Sequence, residues 1–428
     1  MKELYKKYIF EKNKLNVIKT NYIDLGSFLS VPIFYSFSDN TTFIKNIKSL
    51  IGKIFFIKDI KIKSNITNSS FKNILFKRNE FNRSDYENIE NFFINTSLKK
   101  FNCFELSFGN RKFDINFIQN IALYLKYKKQ FKKIDLCNYK INALKFLQAS
   151  KYDKTYRKII REFNINKIVV FCDIHENDNY LVQLGNHFNI ATYTLQHGMF
   201  NYESRKYDDP NFLHCEASKA RYVFVWGQHT KDEFIKCGRK AESIFVSGNP
   251  KLLSRLTYDK REFKNKTNFI VVFDHSMYAK SNINLLKIAD AICKRTGLKY
   301  EVKMHPNNNI HNYKQYSSLC SAFYKNEIDY DYITNNAKFV ICHNTAMYYE
   351  LTSFLVPTFR FKDEFFSNID EFDFNKFSNE TELTEKLSYI ENNVNTYFEK
   401  LEAHSKYYFY NGNLEDAILN GLMTEWNY

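Results

Sequence analysis

The stretch KIVVFC at residues 167–172 is apolar almost throughout, and the polar segment Asp173-Ile174-His175-Glu176 follows it directly. Such a run is typical of a parallel strand that helices cover on both faces. The pattern then predicts a helix over 178–187 and a second strand over 190–195, which ends at Gln196-His197-Gly198. A strand, a helix and a strand in this order indicate a parallel sheet.

The alternation continues along the chain. Further strands are predicted at 221–226 and 243–247. Between them Thr230 and Glu233 have the spacing of a capping box, which would begin a helix, and Gly238 would end it. A polar, basic segment at 254–267 then predicts a junction between two domains.

A second series of elements follows this segment. Its strands are predicted at 268–273, 299–304, 338–342 and 357–361, and its helices at 282–295 and 346–354. Outside the two series, the pattern predicts strands at 53–57 and 59–64 and helices at 117–127, 382–404 and 414–426. The chain as a whole is therefore predicted to be an α/β protein.

Length and composition limit the possible classes of protein. At 428 residues the chain is too long for one typical core and suits two domains. The net charge of +15 fits nucleic acid, an anionic membrane or acidic substrates, but also a solvated, lysine-rich surface. No RNA-binding motif or zinc-finger spacing is present in the sequence, so we expect no nucleic-acid partner.

The cysteines and the N-terminus indicate the compartment. None of the eight cysteines forms a CxxC pair, which favours reduced core cysteines in a cytosolic protein. The charged N-terminal residues lack the apolar core of a signal peptide. No apolar run reaches the roughly 18 residues of a membrane span, so we expect any membrane contact to be peripheral.

Polar residues follow the strands of the second series, where open parallel sheets form their binding sites. Asn344 or Thr345 would cap the next helix, whose N-terminus favours phosphate. Glu350, further along that helix, could accept hydrogen bonds from ribose hydroxyls. The alternative is an ordinary capped helix with a surface glutamate.

His305 also follows a predicted strand, and Pro306 holds it in an extended or turn geometry. It could donate to a phosphate or protonate a leaving group, and Lys303 on the same strand could add positive charge. Asp274-His275-Ser276 is a third candidate phosphate loop, with His275 and Ser276 as donors, although it lacks glycine. The alternative for His305 is an unremarkable loop histidine.

His197 is the candidate general base of the first series, because an imidazole of near-neutral pKa suits that task. Gly198 would permit a tight turn and close approach of a ligand. Asp173 could orient His197 or act as the base itself, or it could simply be a strand-end turn residue. Residues expected to contact an acceptor are His175, Glu176 and Glu203.

The order of these motifs resembles a known group of enzymes. Thr194-Leu195-Gln196-His197-Gly198, Val225-Trp226-Gly227, Val246-Ser247-Gly248-Asn249-Pro250, His305-Pro306 and Asn344-Thr345 with Glu350 are similar to motifs of bacterial GT-B glycosyltransferases. Those enzymes make capsule and lipopolysaccharide, and they include the CDP-glycerol glycerophosphotransferase, polysialyltransferase and Kdo-transferase groups. The similarity covers roughly residues 165–365.

The resemblance implies two Rossmann-like domains that face a central cleft. Residues 1–255 would bind the acceptor and supply the base, His197 or Asp173. Residues 256–400 would bind the nucleotide donor through His305, Asn344, Thr345 and Glu350. Residues 401–428 would form a helix that packs back on the first domain. The resemblance implies no metal and no cofactor, and the near matches to a DxD motif, at 208–209 and 329–331, look like loops.

The predicted function is transfer of a sugar from a nucleotide donor to a glycan or lipid-linked acceptor, in the cytoplasm at the inner face of the inner membrane. The histidine-proline motif favours a CMP- or CDP-linked donor, and the resemblance implies inversion. Two departures from the relatives leave the identity of the donor open: His343-Asn344-Thr345 stands where they often carry serines, and Asp274-His275-Ser276 lacks the expected glycine. The alternatives are a UDP-N-acetylglucosamine 2-epimerase, whose glycine-rich opening motif is absent from residues 1–60, and a non-catalytic scaffold.

Overall fold

The computed structural model describes residues 3–18, 20, 22–37, 54–80, 83–207, 210–253, 257–325, 328–365 and 373–424. The chain forms two compact units, Met1–Lys251 with Gly412–Tyr428, and Leu252–Asn411. Parts of the predicted segments at 53–57, 254–267 and 414–426 and the acidic pair at 208–209 lie outside the described residues.

The first unit contains a sheet of seven described strands in the order β1-β3-β2-β4-β5-β6-β7. The β1–β3 pair is antiparallel and the other pairs are parallel. The strands are β1 (Phe56–Asn65), β2 (Asn73–Lys77), β3 (Asn102–Phe113), β4 (Ile165–Val170), β5 (Ala191–Leu195), β6 (Tyr222–Val225) and β7 (Ile244–Val246).

The second unit contains a sheet of six described strands, all parallel, in the order β10-β9-β8-β11-β12-β13. These are β8 (Asn268–Val272), β9 (Lys299–Lys303), β10 (Cys320–Tyr324), β11 (Ala337–Cys342), β12 (Thr358–Phe361) and β13 (Lys376–Phe377). The predicted α/β class with parallel sheets is therefore confirmed.

Helices connect and cover the strands. They are α1 (Glu3–Lys14), α2 (Leu25–Phe28), α3 (Ser30–Tyr35), α4 (Ser84–Ser97), α5 (Phe117–Lys133), α6 (Tyr139–Ser150), α7 (Asp153–Glu162), α8 (Glu176–His187), α9 (Leu213–Ala217), α10 (Gln228–Lys236), α11 (Ala279–Thr296), α12 (Tyr330–Asn336), α13 (Met347–Ser353), α14 (Glu380–Asn392), α15 (Val394–Tyr408) and α16 (Leu414–Met423). Among the described residues, no helix combines the length and the apolar character needed to span a membrane.

The apolar runs at 167–172 and 338–342 form strands whose side chains are buried on both faces of the sheet. Residues Ile168, Val169 and Val170 of β4 are at most 1% exposed, and β11 is buried along its whole length. The two predicted strands at 53–57 and 59–64 are instead one strand, β1, with an irregular register between Lys58 and Ile60. The predicted helix at 382–404 is two helices, which meet at Asn393.

The predicted capping box is wrong. Helix α10 begins at Gln228, two residues before Thr230, and Gly227 is its N-cap residue. Thr230 and Glu233 are buried because they serve tertiary contacts instead. Gln196 Nε2 donates to Thr230 Oγ1 (3.1 Å), and the Tyr202 N–H donates to Glu233 Oε2 (2.9 Å). The two side chains therefore attach the chain after β5 to α10.

The C-terminal helix α16 belongs to the first unit. Its Leu414 contacts Gly248, which has a φ of +79°, and a Cβ built there would lie 2.8 Å from Leu414 Cγ. Gly421 lies as closely against the ring of Phe224, where a built Cβ would be 2.6 Å from Cε1. These two positions require glycine because the helix approaches the end of β7 and the face of β6 so closely.

Candidate functional site

The strand order of the second unit places a candidate site between β8 and β11. Strands β9 and β10 extend the sheet to one side of β8, and β11, β12 and β13 extend it to the other. This is the Rossmann order 3-2-1-4-5-6, in which ligands bind outside the carboxyl ends of the strands where the order reverses. Asp274, His275, His305 and Asn344 lie at the ends of the three central strands.

Asp274 joins the ends of β8 and β11. Its Oδ2 accepts the N–H of Asn344 (2.9 Å), and its Oδ1 accepts the N–H of His275 (2.7 Å). Its backbone carbonyl accepts hydrogen bonds from Asn282 Nδ2 (3.1 Å) and Asn308 Nδ2 (2.8 Å). Two backbone donors that a phosphate could use are therefore already bonded to this buried carboxylate.

His275 and His305 come together beside Asp274. Their ring centroids are 5.1 Å apart in a T-shaped arrangement. Asn307 links them, because its Nδ2 lies 2.7 Å from His275 Nε2 and its backbone N–H donates to His305 Nδ1 (3.2 Å). Both histidines are partly exposed, and Asn307 is exposed, so these groups form an accessible polar edge. We name His275, His305 and Asn307 the histidine edge.

His343, at the end of β11, is buried between two carboxylates. Its Nε2 lies 2.9 Å from Asp363 Oδ1 and its Nδ1 lies 3.5 Å from Asp274 Oδ2. Ser281 Oγ donates to the other oxygen of Asp363 (2.7 Å), and Arg360 Nε donates to the His343 carbonyl (3.1 Å). His343 thus holds the strand ends together from within.

The remaining residues predicted to bind the donor have other partners. Lys303 Nζ donates to the Ile328 carbonyl, and Tyr330 donates from its hydroxyl to the buried Glu350. Thr345 Oγ1 accepts the N–H of Met347 (3.3 Å) at the start of the seven-residue helix α13. Ser276 is exposed, next to the histidine edge in sequence.

In the first unit, Asp173 holds a neighbouring segment of chain. Its Oδ2 accepts hydrogen bonds from Ser218 Oγ (2.8 Å), the Lys219 N–H (2.6 Å) and the Ala220 N–H (2.7 Å). The side chain is 3% exposed. These contacts anchor residues 218–220 to the end of β4. The sequence left this role open, as the alternative to a catalytic base.

The residues predicted to contact an acceptor are placed as follows. Glu176, the first residue of α8, is paired with Lys145 Nζ at 2.6 Å. Burial alone would raise the pKa of Glu176, but Lys145 lowers it below its ordinary value. His175 is the N-cap residue of α8 and is partly buried. Glu203 lies in the short helix Tyr202–Tyr207, and its side chain lies outside the described part of the structure.

His197 lies in an aromatic environment at the end of β5. Its ring centroid is 5.0 Å from that of Phe171, 5.5 Å from Phe200 and 4.9 Å from His214. Burial, together with the nearby His175, lowers the pKa of His197 to about 3. Burial also lowers the pKa of His214 well below its ordinary value. Both imidazoles are therefore neutral at pH 7, and His197 is a weak base there.

The turn after β5 depends on Gln196 more than on Gly198. Gln196 Oε1 accepts the Trp226 N–H (2.6 Å), and its Nε2 donates to the Gly198 carbonyl (2.8 Å). Gly198 does not have a positive φ, and a Cβ built there would meet no atom of the described residues within 4 Å. The turn does not require glycine at this position, and the space beside Gly198 is open among the described residues.

Sequence reasoning missed two groups of residues. A buried network at the end of β2 joins Lys77 to Asp178 and, at 3.5 Å, to Glu80. Burial would raise the pKa of Glu80, but Lys77 and Lys58 lower it to about 2. The second group is Cys172 and His214, whose ligand atoms and that of His197 lie within 4.8 Å of one another. No local motif signals either group, because Asp178 is distant in sequence from Lys77 and Glu80, and His214 is distant from Cys172.

Solved structures of low sequence identity share this fold. The S. aureus MnaA–UDP co-structure has a TM-score of 0.52 at 10% identity, and the match covers 82% of this chain and 96% of that one. A UDP-N-acetylglucosamine 2-epimerase from Rickettsia bellii has a TM-score of 0.50 at 14% identity over 82% and 96% of the two chains. The lipopolysaccharide outer core galactosyltransferase WaaB has a TM-score of 0.47 at 12% identity over 82% and 99%.

The chain has a GT-B-type fold. It contains the two Rossmann-like units that the resemblance implied, and identities of this size show the fold alone. No protein-family model and no curated protein sequence matches the chain.

Proposed function

We propose that this protein is a glycosyltransferase that uses a nucleotide-activated sugar, and that its second unit binds the donor. The observation that carries the proposal is the histidine edge beside the β8–β11 reversal, where His275 and His305 are 5.1 Å apart and linked by Asn307. Three nitrogen-bearing side chains lie where a Rossmann-like sheet binds nucleotides, and both ring nitrogens of His275 are within hydrogen-bond distance of protein partners, the Met277 N–H and Asn307 Nδ2.

The chemistry of the edge fits a diphosphate. Imidazole and amide N–H groups donate to phosphate oxygens, and a protonated His305 could transfer its proton to the leaving phosphate. Ser276 is exposed and follows His275 in sequence, and Asn344 is partly exposed, with its Nδ2 donating to the Phe365 carbonyl (2.9 Å). We assign Lys303, Thr345 and Glu350 to shaping the site, since their described contacts are with the Ile328 carbonyl, the Met347 N–H and Tyr330.

We assign acceptor binding to the first unit, at the carboxyl ends of β4 and β5. His175, Glu176 and Glu203 remain the proposed acceptor contacts, and His197 is proposed to face the same region. Asp173 is assigned to anchoring residues 218–220 because its carboxylate already accepts three hydrogen bonds. The net charge of +15 supports an acidic donor, an acidic glycan or lipid-linked acceptor, and peripheral contact with an anionic cytoplasmic membrane surface.

A UDP-N-acetylglucosamine 2-epimerase is the second candidate. The observation that favours it is that the MnaA–UDP structure and the Rickettsia bellii epimerase both match over 82% of this chain. An epimerase would convert UDP-N-acetylglucosamine without an acceptor, whereas a transferase would consume its donor productively only when an acceptor is present. Product analysis with and without acceptor separates the two candidates.

A thermal-shift panel with CMP, CDP, UDP, GDP and dTDP tests the donor assignment. A nucleotide at about 100 times its dissociation constant should add roughly 2.7 kcal/mol of stability. A response to CMP or CDP supports the predicted transferase, and a response to UDP supports either a UDP-sugar transferase or the epimerase. If none of the five raises the melting temperature, the proposal fails in favour of a non-catalytic scaffold.

A further inference from the structure

Three potential metal ligands converge in the first unit. They are Cys172 after β4, His197 after β5 and His214 in α9. One ligand atom from each lies within 4.8 Å of the other two. The proposed donor site uses none of these residues.

The spacing is close to that of a tetrahedral site. Zinc–sulfur and zinc–nitrogen bonds of about 2.3 and 2.0 Å put neighbouring ligand atoms roughly 3.5 Å apart. Ligand atoms within 4.8 Å of one another therefore need to move by only about 1 Å. Rotation of the side chains can supply a movement of this size.

Aromatic rings surround two of the three ligands. His214 stacks on Phe200 with a centroid distance of 4.0 Å and an interplanar angle of 5°, and Phe200 also contacts the His197 ring. The Cys172 side chain is 2% exposed, and the His175 N–H donates to the Cys172 backbone carbonyl (3.1 Å). His197 Nδ1 lies 3.4 Å from the Leu195 carbonyl, a contact of the kind that orients a metal-binding imidazole.

We propose that Cys172, His197 and His214 bind a divalent transition-metal ion of the zinc class, which leaves a fourth position for water or a substrate oxygen. One thiolate and two imidazoles select zinc or cobalt over magnesium or calcium. Binding forms one metal–sulfur and two metal–nitrogen bonds and releases the thiol proton to solvent. The resemblance implied a metal-free enzyme, and this inference differs from it for the first unit.

Cobalt titration of the untagged, chelator-treated full-length protein tests the proposal. A site with this thiolate should give a sulfur-to-cobalt charge-transfer band in the near ultraviolet and intense visible bands from four-coordinate cobalt. Both should saturate at one equivalent and disappear when zinc is added. The experiment reads the first unit alone, so its failure would leave the nucleotide response of the second unit unaffected.

Two variants and a control identify the ligands. Cys172→Ser should abolish the charge-transfer band, and His214→Ala should weaken cobalt binding at least about tenfold. Cys103→Ser removes another fully buried thiol, on β3, and should keep both the band and the affinity. The unfolding transition of each variant is compared with that of the wild type to show that the variant is folded. If Cys172→Ser does not fold, the cobalt affinity of His214→Ala tests the proposal.

The proposal is overturned if the wild-type protein gives no charge-transfer band. It is also overturned if Cys172→Ser and Cys103→Ser give the same spectrum, or if His214→Ala binds cobalt as tightly as the wild type. In those cases the three residues are packing residues of an aromatic core.

Discussion

Asp173 shows how one side chain can serve the fold at a position where the sequence suggested catalysis. Its single oxygen Oδ2 accepts three hydrogen bonds from residues 218–220. Asp173→Ala would leave the buried Ala220 N–H and the two partly buried donors without this acceptor, so we expect the free energy of unfolding to fall by about 3 kcal/mol. Urea denaturation measures this loss.

The control for that prediction is Asp59→Ala, which removes an exposed partner of Lys112 and should leave the urea midpoint unchanged. If Asp173→Ala unfolds at the wild-type midpoint, then the three hydrogen bonds do not anchor the segment.

Gly198 provides a second test at the residue scale. Because a Cβ there would meet no atom of the described residues within 4 Å, Gly198→Ala should change the free energy of unfolding by less than about 1 kcal/mol. Thermal unfolding checks this. A loss well beyond that value would mean that the turn does require glycine.

Local sequence could not reveal the partners of individual site residues. The positions of His275, His305 and Asn344 at strand ends could be predicted, because a strand end is a local feature. The bonds of Glu350 to Tyr330 and of Lys303 to the Ile328 carbonyl could not, because they depend on how distant segments pack.

At the scale of one helix, Glu90 of α4 makes stability depend on pH. It is 4% exposed, and burial raises its pKa from 4.5 to about 7, against the opposing effect of Asn79 and Arg78. A raised carboxyl pKa means that the folded state binds the proton more tightly. Its stabilisation is therefore full below about pH 4.5 and is lost as the pH rises through 7.

We expect Glu90→Gln to remove this dependence. Between pH 4.5 and pH 8, the wild type should lose about 3 kcal/mol more unfolding free energy than the variant. Urea denaturation across that range checks the difference. Parallel curves for the two proteins would show that Glu90 titrates normally in the fold.

The contact of α16 with the end of β7 predicts different effects of two glycine substitutions. Gly248 and Gly238 have φ values of +79° and +93°, but only Gly248 has Leu414 against it among the described residues. Gly248→Ala should destabilise the protein by about 1–3 kcal/mol more than Gly238→Ala. Adding Leu414→Ala should recover part of that difference, and equal losses in the two single variants would contradict the contact.

Elements with continuous apolar runs could be predicted, and those stabilised by distant partners could not. The runs at 167–172 and 338–342 became β4 and β11 because both faces are buried. Strand β1 contains Lys58, Lys61 and Lys63 and has no buried residue, so its antiparallel pairing with β3 has little local signal. The Thr230–Glu233 spacing wrongly predicted a capping box for a related reason, because both side chains contact the chain after β5.

At the scale of the whole molecule, the alternation of strands and helices was enough to predict two α/β units, and the resemblance implied that they are Rossmann-like. The resemblance covered residues 165–365, so it did not include β1, β2 and β3, which complete the first sheet. The order in which the strands pair cannot be predicted from any single segment of the sequence. It emerges when crossover helices pack on both faces of a sheet.

The central claim is that the histidine edge binds the nucleotide. Calorimetric titration of the wild type, the double variant His275→Ala/His305→Ala and the control His311→Ala, an exposed histidine of the same unit, tests it with the nucleotide that gives the largest thermal shift. We expect the double variant to bind at least about tenfold more weakly, a loss of about 1.4 kcal/mol, and the control to bind as the wild type does. Equal affinity in all three proteins would contradict the account.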